Sequence, residues 1–464
     1  MEKKQLLAIL CVGFLSTSVV QSTSAQQPLK EFLEAAKTNA LQLRRADASR
    51  KEAKATTHTA IGGLLPGVTG TGVYSRNQYE VRFQLPTGTG TAGQDVVIQR
   101  KDQWVGKAEV KMPLLDLTAW ARYFEAKSLA DAAKFNIALA ELNTQLDVVN
   151  NWYLLVATKQ LVKAAENNWE VTKQNREQVK IRVDAGATAE LELARAYAEE
   201  ARAEKTIADA KLQRDLAARK LYDLTFLEIA DVEAELAIQY PAPLELSTLL
   251  DDVSNTPSVK VAAARRRASK AAKRSSIYAL LPAIYGSFTE QITNASGFSP
   301  KSQWVAAVTG IWTLDYSRGA NVAAKKAAST GAAIDAELAA QQVRTAIFEA
   351  WHRVRSAESQ LKSTEVSLKA STRAAHDARL RYEAGAGTQL DQIQADRDRF
   401  AAEADRIEAI GNLAVAHAAL RLQAGIPLGE MLDSSVGSND QAIEGSSPSA
   451  TAPSDSETDA ASAE

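Results

Sequence analysis

Cysteine is nearly missing from this chain: among 464 residues only Cys11 occurs, so no disulfide framework can be drawn. Histidine is almost as scarce, and His58, His352, His376 and His417 lie scattered without the spacing of metal ligands. No Ser-His-Asp or paired-carboxylate arrangement can be assembled, so the sequence gives no grounds for a catalytic site, a cofactor or a metal. Only 12 prolines and 6% aromatic residues occur, and the rest is rich in Ala, Leu, Glu, Gln, Lys and Arg. Such a composition favours long helices over compact mixed domains. The net charge of -2 gives no reason to expect nucleic acid as a partner. Apart from the N-terminus, no stretch approaches the ~20 apolar residues of a membrane-spanning helix.

Lys3 and Lys4, an apolar run from Leu6 to Leu15, and Thr23 and Ala25 before Gln26 predict a cleaved secretory signal over 1–25. The run is too short for a spanning anchor, and Ala8, Ile9 and Leu10 before Cys11 make a poor lipidation motif. Residues 434–464 carry six acidic residues and no Lys or Arg amid Ser and Ala, the composition of a disordered tail. Gly88-Thr-Gly90-Thr-Ala-Gly93 matches a dinucleotide-binding pattern by letter. No βαβ unit surrounds it, and a flexible hairpin tip is expected instead.

Between these ends the chain is written twice. Lys101, Gln103, Trp104 and Val105 recur as Lys301, Gln303, Trp304 and Val305, a shift of 200 residues. Asp116, Trp152, Arg182 and Gly186 recur as Asp315, Trp351, Arg381 and Gly385, a shift of 199. Each copy runs from a helix into Leu-Leu-Pro (Leu64 to Pro66, Leu280 to Pro282), then two strands, a long helix, a glycine turn and a return helix. The first repeat covers 26–221, with strands at about 67–85 and 96–114, long helix 119–182, tip 183–189 and return helix 190–221. An irregular mid-height segment follows at 222–257. The second repeat covers 258–424, with strands at about 283–293 and 303–314, long helix 317–381, tip 382–388 and return helix 389–424. A short mid-height end at 425–433 precedes the tail.

The long helices should reach ~95 to 100 Å, and neither return helix matches that length. Stacking the return helix end to end with the helix before Leu-Leu-Pro makes up the difference, so each copy pairs one continuous rod with one two-piece rod. Phe135, Leu139, Leu142, Leu146, Val149, Tyr153 and Val156 alternate spacings of four and three, beside a second stripe of Val148, Trp152, Leu155 and Val162. Two seams mean two neighbours, as in the wall of a cylinder.

The strands suit a membrane. Trp104, Gly106, Ala108, Val110 and Met112 share one face, while Gln103, Lys107, Glu109 and Lys111 share the other. Trp304, Ala306, Val308, Gly310, Trp312 and Leu314 again share a face. Trp304 and Trp312 stand ~26 Å apart along a strand. That matches the ~25 Å apolar band whose rims carry aromatic girdles in outer-membrane barrels. The segment from Val68 to Leu85 changes phase near Asn77. Four strands cannot close a barrel, and an open edge is intolerable in lipid. Two copies would give eight strands and a filled interior, whereas three give twelve and leave a conduit.

In the order and spacing of these parts the chain resembles the TolC-like outer-membrane efflux proteins, up to about Leu428. The resemblance rests on the duplication, the Leu-Pro entries, the Asp116 and Asp315 exits and the turns Arg182-Val-Asp-Ala-Gly186-Ala-Thr188 and Arg381-Tyr-Glu-Ala-Gly385-Ala-Gly387-Thr388. It implies a mainly α fold with a membrane β-barrel: a homotrimer with a twelve-stranded barrel in the outer membrane and a twelve-helix periplasmic tunnel. It further implies a periplasmic adaptor and an inner-membrane pump as partners, with no enzymatic activity. Under it, Ala185, Gly186, Ala187, Thr188, Ala384, Gly385, Ala386 and Gly387 form the tips that meet the adaptor. Glu192, Tyr382 and Asp391 match gate positions, whereas Gln394 and Gly387 stand where the family has a second acid and an Arg. Trp104, Trp304 and Trp312 become the membrane girdle. The competing reading is a periplasmic adaptor or other secreted coiled-coil scaffold. It accounts for the helical hairpins but not for the girdled strands, and an adaptor would need a β-rich lipoyl-like region between its helices.

Overall fold

The computed structural model describes residues 29–85, 95–229, 245–295, 297–426 and 428. The expected signal segment 1–25, the tail 434–464 and the run from Gly88 to Gly93 lie outside the described residues, as do 230–244 of the mid-height segment.

In chain order the first half holds α1 (Leu29–Asn39), α2 (Leu41–Gly62), β1 (Gly67–Arg76), β2 (Val81–Gln84), β3 (Asp95–Gln99), β4 (Asp102–Leu115), α3 (Leu117–Asp184) and α4 (Glu190–Thr225). The second holds α5 (Leu246–Asp251), a 3-10 turn (Val253–Asn255), α6 (Pro257–Tyr278), β5 (Ala283–Thr293), β6 (Ser302–Ile311), α7 (Tyr316–Glu383) and α8 (Gln389–Gln423). Both α3 and α7 run for 68 residues without a break, about 100 Å of helix. Each starts on an aspartate. Asp116 accepts from the Ala119 amide (2.9 Å) and Asp315 from the Arg318 amide (2.8 Å), which satisfies a helix-end donor where strand turns into rod.

The rods stand side by side. α3 packs against α2 and α4 on one flank and α6 and α8 on the other, and α7 closes the row against α6 and α8. Thr57 of α2 bonds the Ala126 carbonyl of α3, while Arg176 and Glu166 of α3 pair with Glu200 and Lys211 of α4. Thus α2 lines the strand-proximal half of α3 and α4 the far half. The antiparallel register set by those ion pairs puts Thr158, Ala165, Thr172 and Val179 level with Ala217, Ala210, Ala203 and Ala196, all buried. Small residues every seven positions let the axes approach closely, but they bury little apolar surface per turn.

The bulk sits at mid-height. Phe32, Leu33, Val148, Val149, Leu155, Leu221 and Leu422 form one cluster, and Leu249, Val253, Ile347, Val354 and Leu420 another. Phe32 is 1% exposed and Leu221 0%. Burying such side chains is worth about 1.5 to 3 kcal/mol each. The short helices α1 and α5 therefore act as a belt that holds both long rods where the two-piece rods are interrupted.

Strands β1, β4, β5 and β6 form one antiparallel sheet in that order, so the two repeats share a sheet with β1 and β6 at its edges. The strands expected over 67–85 and 96–114 are each divided: β1 ends at Arg76 and β4 begins at Asp102, and β2 pairs with β3 in a separate two-stranded ladder. The cause lies at Asn77. Its amide donates to the Lys101 carbonyl (2.7 Å) and its side chain to the Arg100 carbonyl (2.9 Å). The ladder is thereby terminated and the chain turned, at the place where the alternation changes phase.

Candidate functional site

The sheet sorts its residues by parity. Val68, Val110, Phe288 and Ala306 lie level across the four strands, as do Gly70, Ala108, Glu290 and Trp304. On the other face, Thr71, Lys107, Gln291 and Gln303 lie level. Among the described residues no helix is long and apolar enough to cross a membrane. The sheet is nevertheless widely exposed on its apolar side: Val308 is 73% exposed and Trp304 and Trp312 65% each. Phe288 stacks on Trp304 (5.9 Å between ring centres), and Tyr74 lies opposite Trp104. At the helix end, the Trp312 indole donates to the Leu280 carbonyl (3.0 Å). Trp104 and Trp304 thus sit toward the hairpin end on the apolar face, and Trp312 follows β6 at the helix end.

The polar face holds paired charge. Lys107 meets Glu109 at 3.0 Å, Lys111 lies over the Tyr285 ring (4.4 Å), and the Tyr285 hydroxyl donates to Asp116 (3.0 Å). A face with matched Lys, Glu, Tyr and Asp is a wetted surface, and the opposite face is a greasy one.

At the far end of the rods both tips use one backbone device. The Ala187 amide donates to the Arg182 carbonyl (2.8 Å) and Gly186 to Val183 (2.8 Å). Ala386 donates to Arg381 (2.8 Å) and Gly385 to Tyr382 (3.1 Å) in the same pattern. This helix-ending motif needs a left-handed residue, and Gly186 (φ 70°) and Gly385 (φ 73°) supply it. Ala185 and Ala384 are the last near-helical residues before each turn. Thr188 precedes α4 and Gly387 precedes Thr388, the N-cap of α8. A Cβ on Gly387 would lie 3.1 Å from that of Arg381, so the chain passes close against the end of α7 here.

The three gate candidates make separate contacts. Glu192 pairs with Arg195 one turn along α4 (3.0 Å). The Tyr382 ring lies under the Arg182 guanidinium (4.6 Å), which ties the second tip to the first. Asp391 closes a reciprocal cap: Thr388 Oγ1 accepts from the Asp391 amide (3.2 Å), and the Asp391 carboxylate accepts from the Thr388 amide (3.1 Å) and hydroxyl (2.7 Å). Those bonds, chiefly from the hydroxyl, hold the Asp391 carboxyl below the usual carboxylate range.

Sequence reasoning missed a polar layer just inside the tips. Arg397 of α8 donates from Nε and Nη2 to the two carboxylate oxygens of Glu199 on α4, and Arg202 also reaches Glu199 (3.3 Å). Asn175, Gln389, Gln392 and Asp396 are buried between the helices. Burial pushes the Asp396 carboxyl up, aided by Glu199 and opposed by Arg379 and Arg399. The only signal was polar residues at 389, 392 and 396, on one face of a helix otherwise read by its apolar stripe.

The outer membrane efflux protein family matches residues 32–225 and 252–425. No curated protein sequence matches significantly. Among solved structures, the Campylobacter jejuni CmeC outer membrane channel is similar over 89% of this chain and 89% of its own (TM-score 0.75, 16% identity). The outer membrane protein VceC from Vibrio cholerae is similar over 86% and 96% (TM-score 0.72, 16% identity). The open state of the Neisseria gonorrhoeae MtrE outer membrane channel is similar over 86% and 89% (TM-score 0.70, 19% identity). At these identities the likeness speaks for the fold.

Proposed function

Because this chain belongs to the outer membrane efflux protein family, we propose that it is one third of a passive trimeric duct. Three copies close a twelve-stranded barrel in the outer membrane and a twelve-helix tunnel beneath it. The observation that carries this reading is the sheet. One face is apolar apart from Glu290 beside Trp304, the other carries the paired charge, and the edges β1 and β6 are unpaired among the described residues. Lipid does not tolerate an open edge, two copies leave no conduit, and three supply one.

The duct carries cargo delivered by an inner-membrane pump through a periplasmic adaptor, and does no chemistry of its own. The adaptor meets the tips at Ala185 to Thr188 and Ala384 to Gly387, where small residues leave the turns open. Asp391, Tyr382 and Glu192 belong to the narrow end, with Asp391 held charged and fixed by its cap. The family match does not favour the adaptor or scaffold reading. Residues 1–25 act as the export signal. Light scattering of the mature protein in detergent should give a trimer, and planar bilayers containing it should conduct. A stable monomer without conductance would sink the reading.

A further inference from the structure

The outer wall just below the sheet carries a charge pattern that conduction does not need. Helix α6 has seven basic residues and no acidic one. It packs through Val261, Ala264, Ala268, Ala271, Ala272 and Ser275. Its opposite face presents Arg267, Lys270 and Arg274, all exposed, with Arg266 and Lys273 half-buried alongside.

The side on which this face lies can be worked out from the sheet. Tyr285 is on the polar face and is acted on electrostatically by Arg122 of α3. Trp120, Phe124, Lys127 and Asp131 recur at helical spacing on the side of α3 away from Arg122. They therefore continue the apolar, outward face of the sheet. Arg267 pairs with Asp131 (3.9 Å), so the basic face of α6 is outward too. On the other side, Arg265 lines a cleft with Asn136, Ala332 and Asp335 between α3 and α7. In any assembly that joins the ends of the row, α6 and α3 stay mid-row, each with a neighbour on both flanks in its own chain. This face remains uncovered.

Its height matches a lipid surface. Arg274 and Lys270 lie four and eight residues before the end of α6 at Tyr278, about 6 and 12 Å below the junction to β5. The headgroup layer on each side of a bilayer is about 5 to 8 Å deep, so Arg274 lies within it and Lys270 reaches it from below by extending its long side chain upward. Trp120 and Phe124, each 51% exposed, lie five and nine residues past the end of β4, where aromatic rings favour an interface. We propose that this collar of Trp120, Phe124, Lys127, Lys270 and Arg274 binds anionic glycerophospholipid headgroups of the periplasmic leaflet. The aromatic rings seat at the headgroup level and the cations reach the phosphates. The inference rests on the outer-membrane placement of the sheet.

The test uses purified protein in detergent, incubated with equal phosphatidylglycerol and phosphatidylethanolamine, with retained lipid counted by native mass spectrometry. The protein should enrich phosphatidylglycerol. Lys127→Gln with Lys270→Gln and Arg274→Gln should lower that enrichment by about fivefold per charge. Exchange of Lys for Arg and Arg for Lys at the same positions should preserve it, as should Arg265→Gln on the inner side. An unchanged lipid ratio in the triple variant overturns the proposal. Retention of anionic muropeptides in place of lipid, lost in the same variant, overturns it in favour of a cell-wall contact. Planar-bilayer conductance is recorded in parallel. A conducting protein with no lipid preference defeats this inference alone, whereas a wild type that neither inserts nor conducts defeats the duct.

Discussion

Replacing Val308 by Arg asks whether the even-numbered face of the sheet meets hydrocarbon. Val308 is 73% exposed and stands opposite Gly286 in the β5–β6 ladder, so no side chain covers it from that strand. It lies four residues from Trp304 and four from Trp312, about 13 Å along the strand from each. That is the middle of the band these two rings bracket. An arginine on the lipid face at mid-depth costs about 2 to 4 kcal/mol, so three protomers would together bear roughly 6 to 12 kcal/mol. The neighbouring Ala307 faces the other way, level with Ser287 and Lys111, where a cation meets water. The assay is urea unfolding of both variants in lipid vesicles, with the inserted fraction measured alongside. Val308→Arg should unfold at markedly lower urea and insert poorly, while Ala307→Arg should behave like wild type. Equal behaviour of the two variants would refute the assignment of faces.

Three further outcomes are expected. Gly385→Ala should cost about 1 kcal/mol, since φ is 73° and no neighbour lies within 4 Å of the new Cβ; an unchanged thermal midpoint would mean the left-handed turn is dispensable. Asp396→Asn should raise the midpoint at neutral pH: burial makes the folded state hold this proton more tightly than the unfolded chain does, so stability falls as pH rises through the window between the two pKa values. The gain should vanish below about pH 4, where both states are protonated; a gain independent of pH would assign it to packing. Asp391→Asn should reduce cation preference and block by multivalent cations in single-channel recordings, and equal selectivity would confine Asp391 to its capping role.

The fold class was legible because duplication leaves its mark at every level. The Trp-Val, Asp, Trp, Arg and Gly landmarks recur at shifts of 199 or 200, and the parity of the strands between them distinguishes a wet face from a greasy one. The break at Asn77 showed only as a change of phase, because the side-chain bond to Arg100 that causes it spans 23 residues and has no local signature. The tight approach at Gly387 was equally hidden, since glycine reads alike whether it supplies positive φ or merely room. The buried polar layer was lost for a different reason. Asp396 has the sequence context of a surface acid, and only the packing of α8 against its neighbours removes it from water.

The exposed surface that remains has a simple distribution. Along the row of rods, the end positions are α2 and α4 on one flank and α7 on the other. Apolar side chains stay exposed there: Leu212 and Leu216 of α4 at 55% and 49%, and Ile334, Leu338 and Phe348 of α7 at 59%, 47% and 49%. The sheet ends in the same way, since β1 follows α2 and β6 precedes α7. Unpaired backbone and unburied leucine therefore fall on the same two flanks from hairpin end to tip. One contact, the β6–α7 flank of one copy against the β1–α2–α4 flank of the next, would satisfy both. Such a head-to-tail contact is heterologous and must close into a ring or run on without end. The sheet decides between these, because a membrane admits only the closed form. On this argument the barrel and the tunnel are not separate assemblies that happen to share a symmetry. A substitution that weakens the α4–α7 contact, such as Leu212→Asp, should loosen the barrel as well, and protease resistance of the strands should fall together with that of the rods. Rods that become sensitive while the strands stay protected would separate the two closures and defeat the argument.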